Sequence, residues 1–456
     1  MKKLTNNKFL PNLTRLCFLG LFIAGFTTDS LAQETITLPQ AIDRMLQNNL
    51  TIKQGALNVA TSDVNLRQSR AALLPNLNAT NSNNLSFGRG LDQTSFQIVD
   101  QKLYQGSGSI GTSVDLFGGF AKINQIKQNK ILLEADKSNV EKIKNDLTLD
   151  VVVSYMQVVY NEDLLKASSA QLQVAQQTLK REDALLEVGN KTIADISQAK
   201  AQVSTAELNV TNAQNDLSIS YLTLAQLMEM GADTATFKVV APTVAEIAIS
   251  QTNYDVRDVY NQALDNFPDI KLASLNTLAA EKGIAIAKGS LYPSISLNAG
   301  LGSSYSYIFK TLTPQDNFSK QIDDRFNQYV GLSLQIPVFN GLSAKSNVKR
   351  AKISYQNFKI QEQLAKNNLN KVIAQAVLDL KAAESRYRST ENTFNAQKDA
   401  FNVIEQRYNV GLVNSLDYNT ATTNRNNAEI DFIRAKYDLV FRSKVIDYYL
   451  GKQITF

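Results

Sequence analysis

Val114-Asp115-Leu116-Phe117-Gly118-Gly119 returns as Ile336-Pro337-Val338-Phe339-Asn340-Gly341, at an offset of 222 residues. A second landmark keeps that offset: Val188-Gly189 with Asp195 returns as Val410-Gly411 with Asp417. A third, Ala71-Ala72-Leu73-Leu74-Pro75-Asn76-Leu77, is echoed by Gly289-Ser290-Leu291-Tyr292-Pro293-Ser294-Ile295 at 218, which implies a small difference in loop length. Self-similarity at a long fixed offset means one structural unit built twice. The chain therefore reads as two halves of one plan.

Outward from these landmarks lie two long uninterrupted stretches, 121–188 and 343–410, without proline or glycine. As straight helices they would each extend about 100 Å at 1.5 Å per residue. A seven-residue seam runs through the first at Val151, Val158, Leu165, Leu172, Leu179 and Leu186. The second carries Ile373, Leu380, Tyr387, Phe394, Phe401 and Tyr408, the same positions shifted by 222. After the turn, Ile196, Val203, Val210, Leu217 and Leu224 keep the spacing. Ala199, Ala206 and Ala213, matched by Ala421, Ala428 and Ala435, form a companion seam where helix backbones can approach closely. Gly189 and Gly411 suit the left-handed position that ends a helix. Thr192 and Asn414 can cap the next helix, with Asp195 and Asp417 at its third position, where a carboxylate stabilises free N–H groups.

Each half also opens with a helix-like stretch, roughly 38–74 and 255–291, stopped by Pro75 and Pro293. The pattern then changes to period two. Ile295, Leu297, Ala299, Leu301, Tyr305, Tyr307 and Phe309 share one parity against Ser296, Asn298, Gly300, Gly302, Ser304 and Ser306. Val330, Leu332, Leu334, Ile336 and Val338 alternate with small polar residues, as do Ile110, Thr112, Val114 and Leu116. Leu77 to Phe87 alternates more weakly, and 88–106 and 310–327 read as loops. Small polar residues on one face and apolar ones on the other fit strands between lipid and water. A half-buried sheet on a soluble core gives the same alternation.

Composition removes most enzyme classes. The 456 residues include no His and no Trp, and Cys17 is the single cysteine, so histidine-based catalysis, His/Cys metal sites and disulfides are excluded. Residues 1–32 read as a signal peptide: Lys2, Lys3, Lys8 and Arg15 precede an apolar core from Leu16 to Phe26, then Ser30-Leu31-Ala32. The net +3 of that segment, taken from the +5 of the whole chain, leaves about +2, with no field for nucleic acid. No later apolar run reaches the roughly 20 residues of a spanning helix, so a membrane could be crossed only by strands closed into a barrel. The plan is therefore 33–230 and 255–456 as structural repeats, each a helix, two strands and a long helical hairpin, with 231–254 a linker or equatorial segment. Four strands cannot close a barrel, and an open edge in lipid is not viable. The fold class that follows is mostly α with a β portion, in duplicated strand-hairpin and helical-hairpin halves; if the strands lie in lipid, copies must associate, giving an oligomeric α-helical barrel joined to a transmembrane β-barrel.

The order of short helix, Pro-ended strand, Phe-Gly or Phe-Asn-Gly strand exit, long helix and Gly-x5-Asp turn resembles the TolC-like outer-membrane efflux proteins. Arg407-Tyr408-Asn409-Val410-Gly411-Leu412-Val413-Asn414-Ser415-Leu416-Asp417 is similar to that family's repeated turn signature, and Leu185 to Asp195 is a looser copy. The resemblance implies a homotrimer in outer-membrane lipid whose helix turns form a periplasmic tip. A periplasmic adaptor (membrane fusion) protein and an inner-membrane pump would dock there and supply the energy, since no phosphate loop occurs in the chain. It implies no enzyme activity and no cofactor. Asp417 matches a position in an acidic ring at the tip; Asp195 and Tyr408 match positions that hold coils together in the closed state. Thr420 stands where well-known members carry a second acidic residue, and Val413 where some carry an arginine. Changing Tyr408 to Phe together with Asp195 to Ala should then raise conductance. The competing reading is a secreted or periplasmic coiled-coil structural or adaptor protein, which accounts for the heptads but not for four alternating segments at matched places.

Overall fold

A computed structural model describes residues 34–91, 97–231, 237–241, 254–309 and 314–452. The signal-peptide reading of 1–32 and most of the 231–254 segment lie outside the described residues. β1 (Glu34–Ile36) leads into α1 (Leu38–Asn48) and α2 (Leu50–Ala71), then the hairpin of β2 (Asn76–Leu91) and β3 (Ile98–Gly118). α3 (Ala121–Glu187) and α4 (Ile193–Leu227) follow, and β4 (Phe237–Val239) lies between the halves. The second half runs α5 (Val256–Asn266), α6 (Pro268–Gly289), β5 (Ser294–Ile308), α7 (Phe318–Asp324), β6 (Asn327–Gln335), α8 (Ser343–Asn409) and α9 (Ser415–Tyr449). Equivalent helices have equal lengths: 11 residues in α1 and α5, 22 in α2 and α6, 67 in α3 and α8, 35 in α4 and α9.

The single opening helix expected in each half is two helices. Asn49 leaves the helical region at ψ 129° and its Oδ1 accepts the Thr51 N–H at 2.9 Å, so one residue ends α1 and caps α2. In the second half Pro268 forces Phe267 into an extended conformation and then takes the first helical position of α6. α2 and α6 end at Ala71 and Gly289, four residues before Pro75 and Pro293, so those prolines introduce the strands rather than stop the helices.

The strands are longer than their alternation suggested. β2 and β3 occupy most of 88–106, and α7 fills part of the expected loop 310–327. β6 stops at Gln335, short of Ile336 and Val338, because Pro337 has no N–H for the ladder. The sheet is antiparallel in the order β2-β3-β5-β6. Its register puts Leu77, Ile110, Leu297, Leu301, Val330 and Leu332 on one face and Ser109, Ser113, Asn298, Gly302 and Ser333 on the other. Leu77 and Val330 are 74% and 78% exposed, so the apolar face has no cover among the described residues.

Beneath the sheet the helices keep the same order: α2 packs on α3, α3 on α6, and α6 on α8. Farther along, α4 packs on α3, α3 on α9, and α9 on α8. The main core sits at midlength, where Val151, Val152, Tyr155, Val158 and Val159 of α3 meet Leu38, Met45, Leu224, Met228 and Phe237. β1 and β4 pair there in parallel, and the buried Tyr155 hydroxyl binds both: it lies 3.0 Å from the Ile36 carbonyl and accepts the Val240 N–H at 2.8 Å. Burial raises the Tyr155 phenol to about 12. Of the heptad seam in α3, Val151 and Val158 are fully buried whereas Leu165, Leu172, Leu179 and Leu186 are half-buried. The seam of α8 stays buried or half-buried to its end at Tyr408.

Candidate functional site

The two helical hairpins end side by side. Gly189 and Gly411 both adopt φ 77°, where a side chain would strain the backbone. The Gly189 and Asn190 N–H groups donate to Leu186 and Leu185 at 2.9 Å; Gly411 and Leu412 repeat this with Tyr408 and Arg407 at 3.1 and 2.9 Å. These bonds satisfy the last carbonyls of α3 and α8. Thr192 and Asp195 form a capping box at the start of α4, with the Thr192 N–H donating to Asp195 Oδ2 at 3.0 Å. Asn414 Oδ1 accepts the Asp417 N–H at 2.8 Å at the start of α9. Bonds from the Thr192 hydroxyl and backbone, then from Ser415, hold the Asp195 carboxyl below its ordinary 3.8.

Tyr408 is buried, and its hydroxyl donates to Glu182 of α3, a carboxylate only 2% exposed. Lys191, in the first turn, donates to the Tyr408 hydroxyl at 3.0 Å and also to Ser415 Oγ. Its Nζ lies 3.2 Å from Glu182 Oε2, off the hydrogen-bond line, which makes that contact an ion pair. The Tyr408 and Tyr418 rings stack with centroids 4.4 Å apart, and the Arg181 guanidinium lies 4.5 Å above Tyr408. Nε and Nη2 of Arg181 are buried without hydrogen-bond partners, so the ring faces and its bond to Asn409 Oδ1 hold it. Charge and aromatic surface thus bind the first hairpin to the second at its far end.

Of the residues singled out from sequence, Tyr408 lies at the centre of this cluster and Asp195 reaches it through Ser415. Tyr408 meets Glu182 and Lys191. Asp417 and Thr420 stand apart, exposed and one turn from each other on α9; the Thr420 hydroxyl bonds back to the Leu416 carbonyl at 2.8 Å. Val413 packs against the small core of Phe401, Tyr408, Tyr418 and Ala421. Sequence reasoning missed Arg181, Glu182, Lys191, Ser415 and Tyr418. The duplication held the signal. Glu182 and Lys191 stand where the second half has Ile404 and Val413, and Tyr408 and Tyr418 where the first has Leu186 and Ile196. The departures from the repeat at these positions converge on one spot.

The family model described as outer membrane efflux protein matches the chain twice, over residues 41–229 and 259–452. Outer membrane efflux protein BepC of Brucella suis is 22% identical over 426 residues, 93% of this chain and 87% of the relative. Outer membrane protein TolC of Escherichia coli is 22% identical over 454 residues, 97% of this chain and 86% of the relative. Among solved structures, CusC superposes with a TM-score of 0.77 at 18% identity, covering 91% of this chain and 92% of that one. VceC from Vibrio cholerae gives 0.75 at 19%, covering 91% and 96%. These structures bear on the fold, which is theirs: mostly helical, with a smaller strand portion. With both halves matched in turn, the chain belongs to the outer membrane efflux protein family and is an outer-membrane channel for efflux or secretion, not an enzyme.

Proposed function

We propose that three copies of the chain close into one passive duct, twelve strands in the outer membrane continued by a helical tunnel through the periplasm. The observation that carries this is the amphipathic sheet with two unpaired edges, β2 and β6. Its water-facing side is Ser, Asn and Gly, and its other side is apolar and uncovered, as a barrel wall requires. The helix layer ends the same way. Its outermost members, α2 and α8, expose Leu50, Leu57 and Val64, and Ile353, Ile360 and Leu364, each by 56% or more. A ring that joins the last strand and helix of one copy to the first of the next covers both sets. Two copies would give eight strands, a barrel whose interior side chains fill; three give room for a water-filled lumen. The soluble coiled-coil reading leaves the apolar sheet face without a role.

Family members work with partner efflux systems. In this chain the turns at Gly189 and Gly411 would meet a periplasmic adaptor and an inner-membrane pump. The tip cluster around Tyr408 and Glu182 would hold the two hairpins of one copy together in the closed state, while Asp417 and Thr420, exposed on α9, would face the aperture. The first test is the native mass of the protein released from outer membranes by mild detergent. Three chains per particle, with conductance in a planar bilayer, are expected; a monomer released by osmotic shock would sink the proposal.

A further inference from the structure

At the end of the sheet farthest from the helices, the apolar face changes character. The register places Leu85, Tyr104 and Tyr307 in one row on that face, and Phe87 with Lys102 in the next. The Phe309 N–H donates to the Lys102 carbonyl at 2.9 Å, which extends the ladder by one residue and adds Phe309 to the second row. Lys102 Nζ lies 4.5 Å from the Phe309 ring centroid and 5.2 Å from that of Phe87, so a cation stands against two aromatic faces. One pair farther out, Arg89 and Asp100 pair with each other at 3.4 Å. Two more cations at this end are engaged elsewhere: Lys320 with Asp316 at 2.8 Å, and Arg325 with the Ser306 hydroxyl at 2.9 Å on the polar face. Lys102 has neither a carboxylate partner nor a hydrogen-bond acceptor for its ammonium among the described residues.

Depth places this cation at a boundary. From Ile295 to Tyr305 the apolar face of β5 extends about 33 Å along the strand, at about 3.3 Å per residue. With strands tilted about 40°, that covers about 25 Å of the membrane normal, the height of a lipid-facing band. Tyr307, Phe309 and Lys102 then come at its outer margin, where hydrocarbon gives way to headgroups. We infer that Lys102, set against Phe87 and Phe309, binds a phosphate ester of the outer-leaflet glycolipid, with an acyl chain laid on Leu85, Tyr104 and Tyr307. The rings attract the ammonium through their negative faces but supply no acceptor atom, so its N–H groups are left to meet phosphate oxygens. A free phosphate would answer the charge and leave the apolar row bare. A molecule that carries both phosphate and acyl chains covers the two together, and lipid A, the glycolipid of a Gram-negative outer leaflet, is built that way.

The site rests on the barrel proposed above, and one measurement separates the two. Native mass spectrometry of the channel in mild detergent, with bisphosphorylated lipid A added, counts chains and bound lipids in the same particle. Lipid A is expected on the wild type and on Lys102→Arg, and about tenfold less on Lys102→Met, which keeps the stem but loses the charged hydrogen bond. Lys320→Met, which removes a cation already paired with Asp316, should retain the wild-type amount. Excess inorganic phosphate should not displace the lipid, and phosphatidylglycerol should not replace it. Equal retention by Lys102→Met, an equal loss from Lys320→Met, displacement by either competitor, or no lipid on the wild type overturns the site. In a particle of three chains, those outcomes leave the ring standing. Lipid A held through Lys102 on a monomer would sink the ring and keep the site; a monomer without lipid overturns both.

Discussion

Glu182 carries a charge where water barely reaches, 2% exposed, with Lys191 as its counter-ion. Removing one member of such a pair leaves the other buried alone, at a cost of about 3–5 kcal/mol. Lys191→Met is therefore expected to loosen the tip and raise bilayer conductance, more than Tyr408→Phe, which removes a hydrogen bond worth about 1–3 kcal/mol. Adding Glu182→Gln to Lys191→Met should return conductance part-way, since the orphaned charge is gone; strictly additive effects would count against coupling. Asp195 behaves differently because it is near water and its carboxylate is stabilised by Thr192 and Ser415. Its folded value lies below the unfolded one, so its stabilisation is full above the ordinary 3.8 and is lost as pH falls through the depressed value. Amide exchange at the start of α4, taken relative to the intrinsic rate at each pH, should stay flat from neutral pH to about 5 and rise only in stronger acid. A rise already between 7 and 5 would assign the titration to another group.

At the scale of elements, breaks and turns do the positioning. A Cβ on Gly411 would meet no heavy atom within 4 Å, so Gly411→Ala faces only the left-handed backbone, a cost of about 1–2 kcal/mol. Gly119, at φ 60°, would push its Cβ onto the Gly289 carbonyl, backbone against backbone at the elbow where β3 becomes α3. Gly119→Ala is expected to abolish recovery of folded channel from membranes, while Gly411→Ala is recovered near the wild-type amount. Tyr155 fixes the midlength in the same way, because one hydroxyl holds α3 to both short strands. Tyr155→Phe leaves the Val240 N–H unpaired and should lower stability by about 1–3 kcal/mol, read as faster exchange of that amide. The helix breaks at Asn49 and Pro268 were hidden in the sequence because helical periodicity continues on both sides of them. A cap and a proline at the first helical position are each compatible with a helix boundary that the apolar pattern does not mark.

For the whole molecule, three chains per particle and a conducting pore are the outcomes that decide the ring. Length and order of the long helices, the turns at Gly189 and Gly411 with their caps, and the two-faced strands were all legible, because each follows from local periodicity, backbone preference or capping chemistry. Repetition made them firmer: two copies of a weak pattern at one offset are stronger than either alone. What the sequence did not disclose is contact between segments distant along the chain. The parallel pairing of β1 with β4, the reach of Tyr155 to both, and the meeting of Glu182 with Lys191 and Tyr408 depend on where the two hairpins lie relative to each other. That placement comes from packing at midlength, propagated along rigid helices to a tip many turns away. The sequence by itself determined the repeated elements and the family they resemble, since those are set residue by residue along the chain. Tertiary structure alone decided which unlike residues of the two halves face each other, because burial and ion pairing are properties of two surfaces brought together.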